Sequence, residues 1–353
     1  MPPVIDPGFD PGFPKTHTFT FGSYNNLVLH EVPLGAPKPN EVLVKTHAVS
    51  LQFRDLMIAN QTYPFGATWN LVPCSDMAGE IISVGADVTQ WKVGDRVSAS
   101  FMLDKLHDEQ TPEIINSALG GASQGVLTEY RTFPAHSLVA FPAHFTYEEA
   151  STLPVAALTA YNAFVGGFSP VKAGDTILVL GTGGVSMFAL QFAVTSGAIC
   201  IVLSSSDEKL KVAMKLGAKH AINYKTTPTW DEEVLKLTKG VGVDRVIEVA
   251  GNATLARSIA SVKINGSIDI IGAVGGGSDS PIDIVLPSIT KGFYLRGIYV
   301  GSLVQFKTMN KLIEANPETT HPVIDKVFDF TEAKAAFKYF ETQAHVGKVV
   351  IKF

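Results

Sequence analysis

Between residues 176 and 271, short apolar runs of strand length alternate with amphipathic runs of helix length. Strands are predicted at 177–180, 199–203, 221–223, 243–249 and 267–271. Helices are predicted at 185–196, 207–216, 230–238 and 254–262, the second ended by Gly217. Strands separated by helices of this length build βαβ units and hence a parallel sheet. The first strand runs into Gly181-Thr182-Gly183-Gly184, after which Val185, Phe188, Ala189, Phe192 and Ala193 recur at helical spacing. Strand, glycine turn and helix is the context a dinucleotide fingerprint needs: the glycines let the backbone approach a pyrophosphate, and the helix N-terminus meets it with unpaired N–H groups. Ser186 stands where the last glycine of that fingerprint would be, and it is small enough to substitute. An ordinary glycine turn would look the same, so the rest of the chain has to support the reading.

The chain has 353 residues, room for two domains of ordinary size, and 46% of them are hydrophobic. Its net charge of −5, spread without long runs, does not favour nucleic acid or an anionic membrane as the partner. The two cysteines, Cys74 and Cys200, cannot make a disulfide framework and suit a reducing compartment. Residues 1–14 lack the apolar stretch of a signal peptide, and no apolar run reaches membrane-spanning length. A soluble, cytoplasmic protein is expected.

The N-terminal third reads differently. Two near-copies of Asp-Pro-Gly-Phe suggest an extended tail over 1–14. Strands follow at 26–32, 41–47, 80–84, 97–101 and within 125–140, with a short helix at 55–60, so this part is mostly antiparallel β. The polar 103–121 segment, with Ile114, Ile115 and Leu119 at helical spacing, reads as an insertion containing a helix. A helix is predicted over 147–167, and beyond the alternating region a strand at 294–300, helices at 304–315 and 331–342, and a last strand at 348–353. The domains are expected to be 1–149 with 302–353, and 150–301. A chain that leaves a domain and returns to it builds a cleft, a favoured ligand site.

The tip of the second parallel strand carries Ser204, Ser205 and Ser206 before Asp207, and Lys209 follows one turn into the helix. An NAD site usually places an acid at that tip. Hydroxyls and an ammonium suit the 2′-phosphate of NADPH instead, although a serine helix cap beside a solvated lysine would read alike. No C-x-x-C occurs and the nine histidines form no H-x-x-x-H, so no metal is expected. There is no G-x-S-x-G, and Cys74 reads as a small packed residue.

Together these stretches carry a resemblance. Ser50-Leu51-Gln52-Phe53-Arg54-Asp55, Asp76-Met77-Ala78-Gly79-Glu80, Trp91-Lys92-Val93-Gly94-Asp95-Arg96-Val97, Ala157-Leu158-Thr159-Ala160-Tyr161, the glycine turn, Leu216-Gly217-Ala218 and Gly347-Lys348-Val349-Val350 are similar to the medium-chain dehydrogenase/reductase superfamily, in its zinc-independent quinone and enoyl reductase-like branch. The resemblance implies an α/β chain: a Rossmann doubly wound parallel sheet domain plus a GroES-like antiparallel β domain. It implies NADPH held by Thr159, Gly181, Thr182, Gly183, Gly184, Val185, Ser204, Ser205, Lys209, Tyr224, Gly272, Val274 and Ser302. Zinc-using relatives carry Cys near 53 and His near 75, where this chain has Phe53 and Ser75. Leu303 stands where many relatives have Arg. Tyr63 matches the acid tyrosine of related enoyl reductases, or is an aromatic that shapes the pocket wall; Gln52 contacts nicotinamide or substrate; Arg54 and Asp55 form a structural ion pair. The implied reaction is hydride transfer to an activated C=C bond or a quinone by a homodimer acting on a small molecule. Carbonyl reduction or alcohol oxidation, and binding of NADPH without turnover, are the competing readings.

Overall fold

The computed structural model describes residues 15–20, 24–65, 67, 71–276 and 281–353, so the 1–14 tail lies outside the described residues. In chain order the strands are β1 Lys15–Thr20, β2 Val28–Pro33, β3 Glu41–Ser50, β4 Asp76–Val84, β5 Arg96–Ala99, β6 Tyr130–Pro134, β7 Leu138–Ala140, β8 Thr176–Leu180, β9 Ile199–Ser204, β10 His220–Asn223, β11 Val243–Glu248, β12 Val262–Ile270, β13 Tyr294–Gly297, β14 Ile324–Asp329 and β15 Lys348–Lys352. The chain divides into two compact units, one of residues up to Leu158 with Gly301–Ala315 and Ile324–Phe353, the other of Thr159–Val300 with Asn316–Val323.

In the first unit the sheet order is β14-β15-β3-β4-β5-β7, with β6 also on β3. Its pairs are antiparallel except β14 with β15. The separate β1–β2 ribbon is antiparallel too. The β-branched runs seen in the sequence turn Val44, Ile81, Val97 and Ile351 into one buried core with Met77 and Phe133. Helix Ala333–Glu341 closes it with Ala333, Ala336, Phe337 and Phe340, the i, i+3, i+4, i+7 stripe of an amphipathic helix. The helix expected over 147–167 is three pieces, Tyr147–Ala150, a π-helical Leu153–Ala157 and Leu158–Val165. Pro154 removes one N–H from the middle piece, and the Val155 N–H goes to the Asp76 carboxylate at 3.1 Å, outside the helix.

The second unit is a parallel sheet in the order β10-β9-β8-β11-β12-β13. The order reverses between β8 and β11, which makes it doubly wound. Helix Val285–Lys291 was not predicted, because Pro281, Pro287 and an apolar side facing solvent hide its period. Asn316–Val323, expected with the first domain, is held in this unit: Gln191 Nε2 donates to the His321 carbonyl at 2.5 Å, and the Thr195 and Thr319 hydroxyls are 2.9 Å apart.

A buried ion pair ties the sheet to helix Leu158–Val165. Arg245 on β11 donates to Asp269 on β12 at 2.6 Å, and also to the carbonyls of Ala163 and Ser169. Removing the carboxylate leaves a guanidinium buried without its counter-charge. Asp269→Ala is expected to lose about 3–5 kcal/mol in urea unfolding, and Arg245→Met added to it to recover part of that loss. A loss under about 1 kcal/mol would mean that the site rehydrates.

Candidate functional site

In the second unit, the residues expected at the pyrophosphate gather at the carboxyl end of β8. Gly181 has φ +75, a conformation that favours glycine. Gly183 caps helix Gly184–Thr195, and a Cβ built on it meets nothing within 4 Å, so the glycine leaves a cradle that a side chain would fill. The first intrahelical bond runs from Met187 N to the Gly183 carbonyl at 2.9 Å. The N–H groups before it have no acceptor within the helix, and the dipole there is positive. Ser186 does more than stand in for a glycine: it is buried, and its hydroxyl donates to the Leu180 carbonyl at 2.7 Å, pinning helix to strand.

One strand over, Ser204 is buried at the end of β9, and Ser205 and Lys209 are half-buried. Tyr224 follows β10, is 44% exposed, and its N–H reaches the Ser204 carbonyl at 3.0 Å. On the other side of β8, Gly272 follows β12, and a Cβ there would stand 2.6 Å from the Val249 carbonyl. The exposed Val274 donates its N–H to that carbonyl at 3.4 Å. The loop after β11 is shaped by the buried Glu248, which accepts from the N–H groups of Ala250 and Gly251 and the hydroxyls of Thr254 and Ser258. These residues lie outside the carboxyl ends of parallel strands where the strand order reverses, the ligand position of a doubly wound sheet. Their glycine cradle, helix end and hydroxyls suit a dinucleotide. Thr159 is buried in helix Leu158–Val165. Ser302 belongs to the first unit, is buried, and donates its hydroxyl to Asp108 at 2.8 Å.

In the first unit, Gln52 and Tyr63 flank helix Phe53–Ala59. Gln52 Nε2 donates to Asp76 Oδ2 at 2.6 Å, and the Gln52 N–H to Asp55 Oδ2 at 2.8 Å. Ser75 donates to the other Asp76 oxygen at 2.6 Å. Lys348, buried at the start of β15, donates to the Leu51 carbonyl. Tyr63 stands on the loop after the helix, with Arg54 Nε 3.5 Å from its hydroxyl. Among the described residues no group of three or more His, Cys, Asp or Glu side chains is placed to hold a metal ion. No helix among them is long and apolar enough to cross a membrane.

The alcohol dehydrogenase GroES-like domain family matches residues 38–143, and the zinc-binding dehydrogenase family residues 184–315. The zinc-type alcohol dehydrogenase-like protein of Schizosaccharomyces pombe is 47% identical over 326 residues, covering 92% of this chain and 93% of its own. The chain belongs to the medium-chain dehydrogenase/reductase superfamily. Human quinone oxidoreductase is 26% identical over 75% of this chain and 74% of its own. Among solved structures, the 2-octenoyl-CoA carboxylase reductase CinF, in complex with NADP and 2-octenoyl-CoA, superposes with a TM-score of 0.81 at 25% identity, over 97% of this chain and 88% of that one.

As a medium-chain dehydrogenase/reductase the chain is an oxidoreductase with an NAD(P)-binding fold, from a family of enzymes that process small molecules. The grouping of Gln52, Asp55, Ser75, Asp76 and Lys348 emerges only in the folded chain. A signal existed: Asp76 and Lys348 each open an apolar strand, and acids and lysines are seldom buried unless paired. Burial pushes Asp76 up, against the Lys348 charge and the bonds from Ser75, Gln52 and Val155. Burial lowers Lys348 to about 8, opposed by Asp76 and Asp55. Cys74 lies within this field, and burial with the two carboxylates raises its thiol well above the usual range, so it stays protonated and inert. Cys200 is likewise raised by burial to about 12.

Burial pushes Asp55 up from 3.8 to about 6, opposed by Arg54 and the Gln52 N–H. The folded protein thus holds this proton more tightly than the unfolded chain. The stability this contributes is complete below pH 3.8 and is lost as pH rises through about 6. Measured against Asp55→Asn in urea unfolding, the wild type should lose on the order of 1–3 kcal/mol between about pH 4 and 6. A difference between the two proteins that stays constant over that range would contradict this.

Proposed function

We propose that the protein is a zinc-independent, NADPH-dependent oxidoreductase that delivers hydride to an activated C=C bond or a quinone. The observation that carries the cofactor preference is the end of β9, where Ser204 and Ser205 stand in place of a carboxylate, with Lys209 in the first turn of the next helix and the Tyr224 N–H on the Ser204 carbonyl. Hydroxyls and an ammonium favour a 2′-phosphate, which an acid there would repel. Gly181, Thr182, Gly183, Gly184 and Val185 would hold the pyrophosphate, with Thr159, Gly272, Val274 and Ser302 as further contacts. When bound, the reduced nicotinamide supplies the hydride.

The substrate reading rests on the donors around Gln52. Carbonyl reduction concentrates negative charge on one oxygen and calls for a strong electrophile, often a metal. Here the neutral donors are an amide, a hydroxyl and a phenol, with Gln52 and Ser75 already turned onto Asp76. The cation Arg54 is engaged by Tyr63 and the Leu119 carbonyl, and the cation Lys348 by the Leu51 carbonyl. A conjugated acceptor spreads the charge over its own framework, so hydride on carbon leaves an enolate or hydroquinone-like anion that needs chiefly a proton. Tyr63 supplies that proton, and Gln52 orients the substrate. The NADP and enoyl-CoA bound by CinF support this reading, as does the name of human quinone oxidoreductase.

A panel of an enone, a quinone, an aldehyde and a ketone tests it, with NADPH and NADH and with and without a chelator. The expected outcome is faster oxidation of NADPH than of NADH by the enone or quinone, unchanged by the chelator. Loss of activity with chelator, preference for NADH, or turnover confined to the carbonyls would overturn it, the last in favour of an alcohol dehydrogenase. No turnover with any acceptor would favour a protein that only binds NADPH.

The same reading makes the protein a homodimer. β13 ends its sheet and pairs on one side with β12. Apolar Tyr294 and Leu295 on this strand, and Val285, Leu286 and Ile289 on the preceding helix, face solvent. Phe168 stacks on Tyr294 with ring centroids 4.6 Å apart. A second copy adding its own β13 across a two-fold axis would cover this edge. Sedimentation at micromolar concentration should show a dimer; a monomer would refute it.

A further inference from the structure

Arg54 pairs with Asp55 at 3.6 Å, but that ion pair alone does not account for the position of its side chain beside Tyr63. Its side chain is nine-tenths buried. Nη1 donates to the Leu119 carbonyl at 3.0 Å, and Nε lies 3.5 Å from Tyr63 Oη. The guanidinium carbon stands 5.1 Å from the centre of the Tyr63 ring and 4.9 Å from that of Phe101, so the plane of charge is held against two aromatic rings. The closest Asp55 oxygen is 3.6 Å from Nη1, beyond hydrogen-bond range, so Asp55 supplies charge to Arg54 but no direction.

A guanidinium has donors only. At its contact with Tyr63, the phenol oxygen therefore accepts, and the phenol's own proton is turned away from Arg54. The backbone supports the arrangement from both sides. Thr62 N–H reaches the Met57 carbonyl at 2.8 Å, which folds the loop bearing Tyr63 back over the helix that carries Arg54. On the far side, the 103–121 segment returns with Leu119 buried, and a Cβ on Gly121 would stand 2.6 Å from Arg54 Nη2. A glycine at 121 thus leaves the room the guanidinium occupies.

We propose that Arg54 is a positioning residue for Tyr63, fixing the direction of its O–H bond and supporting the charge that remains on its oxygen once the proton has gone. The inference rests on the reading of Tyr63 as the acid. In that step the Tyr63 O–H bond breaks and its electron pair stays on Oη. The proton bonds to the anionic centre of the reduced substrate, and water later returns a proton to Oη. Arg54 keeps all of its protons throughout, because a guanidinium is not deprotonated in proteins.

A double-mutant cycle on the full chain tests this, with NADPH and cyclohex-2-enone, and with 1,4-benzoquinone as a second acceptor. Tyr63→Phe should lower kcat by about a hundredfold. Arg54→Met should lower kcat on the order of tenfold, leaving KM for NADPH unchanged, and Arg54→Lys should recover part of the loss. Added to Tyr63→Phe, Arg54→Met should cost nothing more. Equal factors in both backgrounds would mean a general structural loss and would overturn the proposal. A slow Tyr63→Phe beside a fully active Arg54→Met would overturn it and leave the acid reading standing. A fully active Tyr63→Phe would remove the acid reading and this inference with it. A readout without turnover is the NMR signal of tyrosine labelled with carbon-13 at Cζ. The Tyr63 resonance, assigned by its loss in Tyr63→Phe, should move in Arg54→Met and in Gly121→Ala. An unmoved resonance in both would show that the contact does not position the phenol. Gly121→Ala keeps the charge and shifts only its place, so it serves if Arg54→Met does not fold.

Discussion

Asp76 holds a carboxylate where water does not reach, and much of the first unit is arranged to make that tolerable. Three donors converge on it, from Gln52, Ser75 and the Val155 backbone. An isolated buried carboxylate would cost several kcal/mol, so these bonds are conditions of the fold and not additions to it. Each comes from a different place in the chain: the start of helix Phe53–Ala59, the residue before β4, and the π-helical Leu153–Ala157. Lys348 at the start of β15 offsets part of the charge. The backbone just before Asp76 is as constrained. Gly125 N–H bonds to Val72 at 2.7 Å and Val126 N–H to Cys74 at 3.0 Å. A Cβ on Gly125 would lie 2.3 Å from three carbonyls in a row, so the chain can close around Cys74 only with glycine there.

The second unit, an NAD(P)-binding fold, keeps charged groups out of its central strands β8 and β9. These two strands are buried along most of their length and are almost wholly apolar, as Ile177, Leu178, Val179 and Leu180 are. What recognises a phosphate is therefore pushed to the strand ends, and much of it is backbone: glycine turns and a helix terminus. Side chains serve mostly to hold that backbone still. Ser186 ties the helix to β8, and Glu248 gathers four donors of the loop after β11.

This difference decides what was legible in the sequence. A parallel sheet announces itself through local periods, and a glycine turn through four consecutive residues, so the alternating strands and the turn after β8 could be read along the chain. The first unit's polar cluster joins positions 52, 55, 76 and 348, and no window along the sequence holds them together. Asp76 and Lys348 were visible only as parts of a family motif, and Arg54 and Asp55 only as neighbours. The 103–121 segment could be read as polar with a short helix, and Pro112–Asn116 is one, capped by Thr111. That its Leu119 carbonyl returns to Arg54 depends on tertiary closure. Helix Val285–Lys291 escaped for another reason: the apolar pattern that marks a helix assumes one face turned to a core, and here Val285, Leu286 and Ile289 all face outward.

The polar cluster of the first unit is a poor way to stabilise a protein. Asp55 is pushed up and Lys348 down by the same burial, so both are held as ions against the preference of their surroundings near neutral pH. Apolar residues of similar volume would often serve the fold as well or better. What such residues could not do is fix dipoles in advance. With Asp76 accepting from Nε2, the Gln52 amide is turned one way, with one of its two N–H groups engaged. With Arg54 donating, the Tyr63 oxygen faces a fixed positive charge. Groups oriented before the reaction need no reorganisation during it, which is where electrostatic catalysis draws most of its effect. The cost of burying these ions is thus localised around Gln52 and Arg54, and a cost concentrated in one place is where stability and function are expected to conflict.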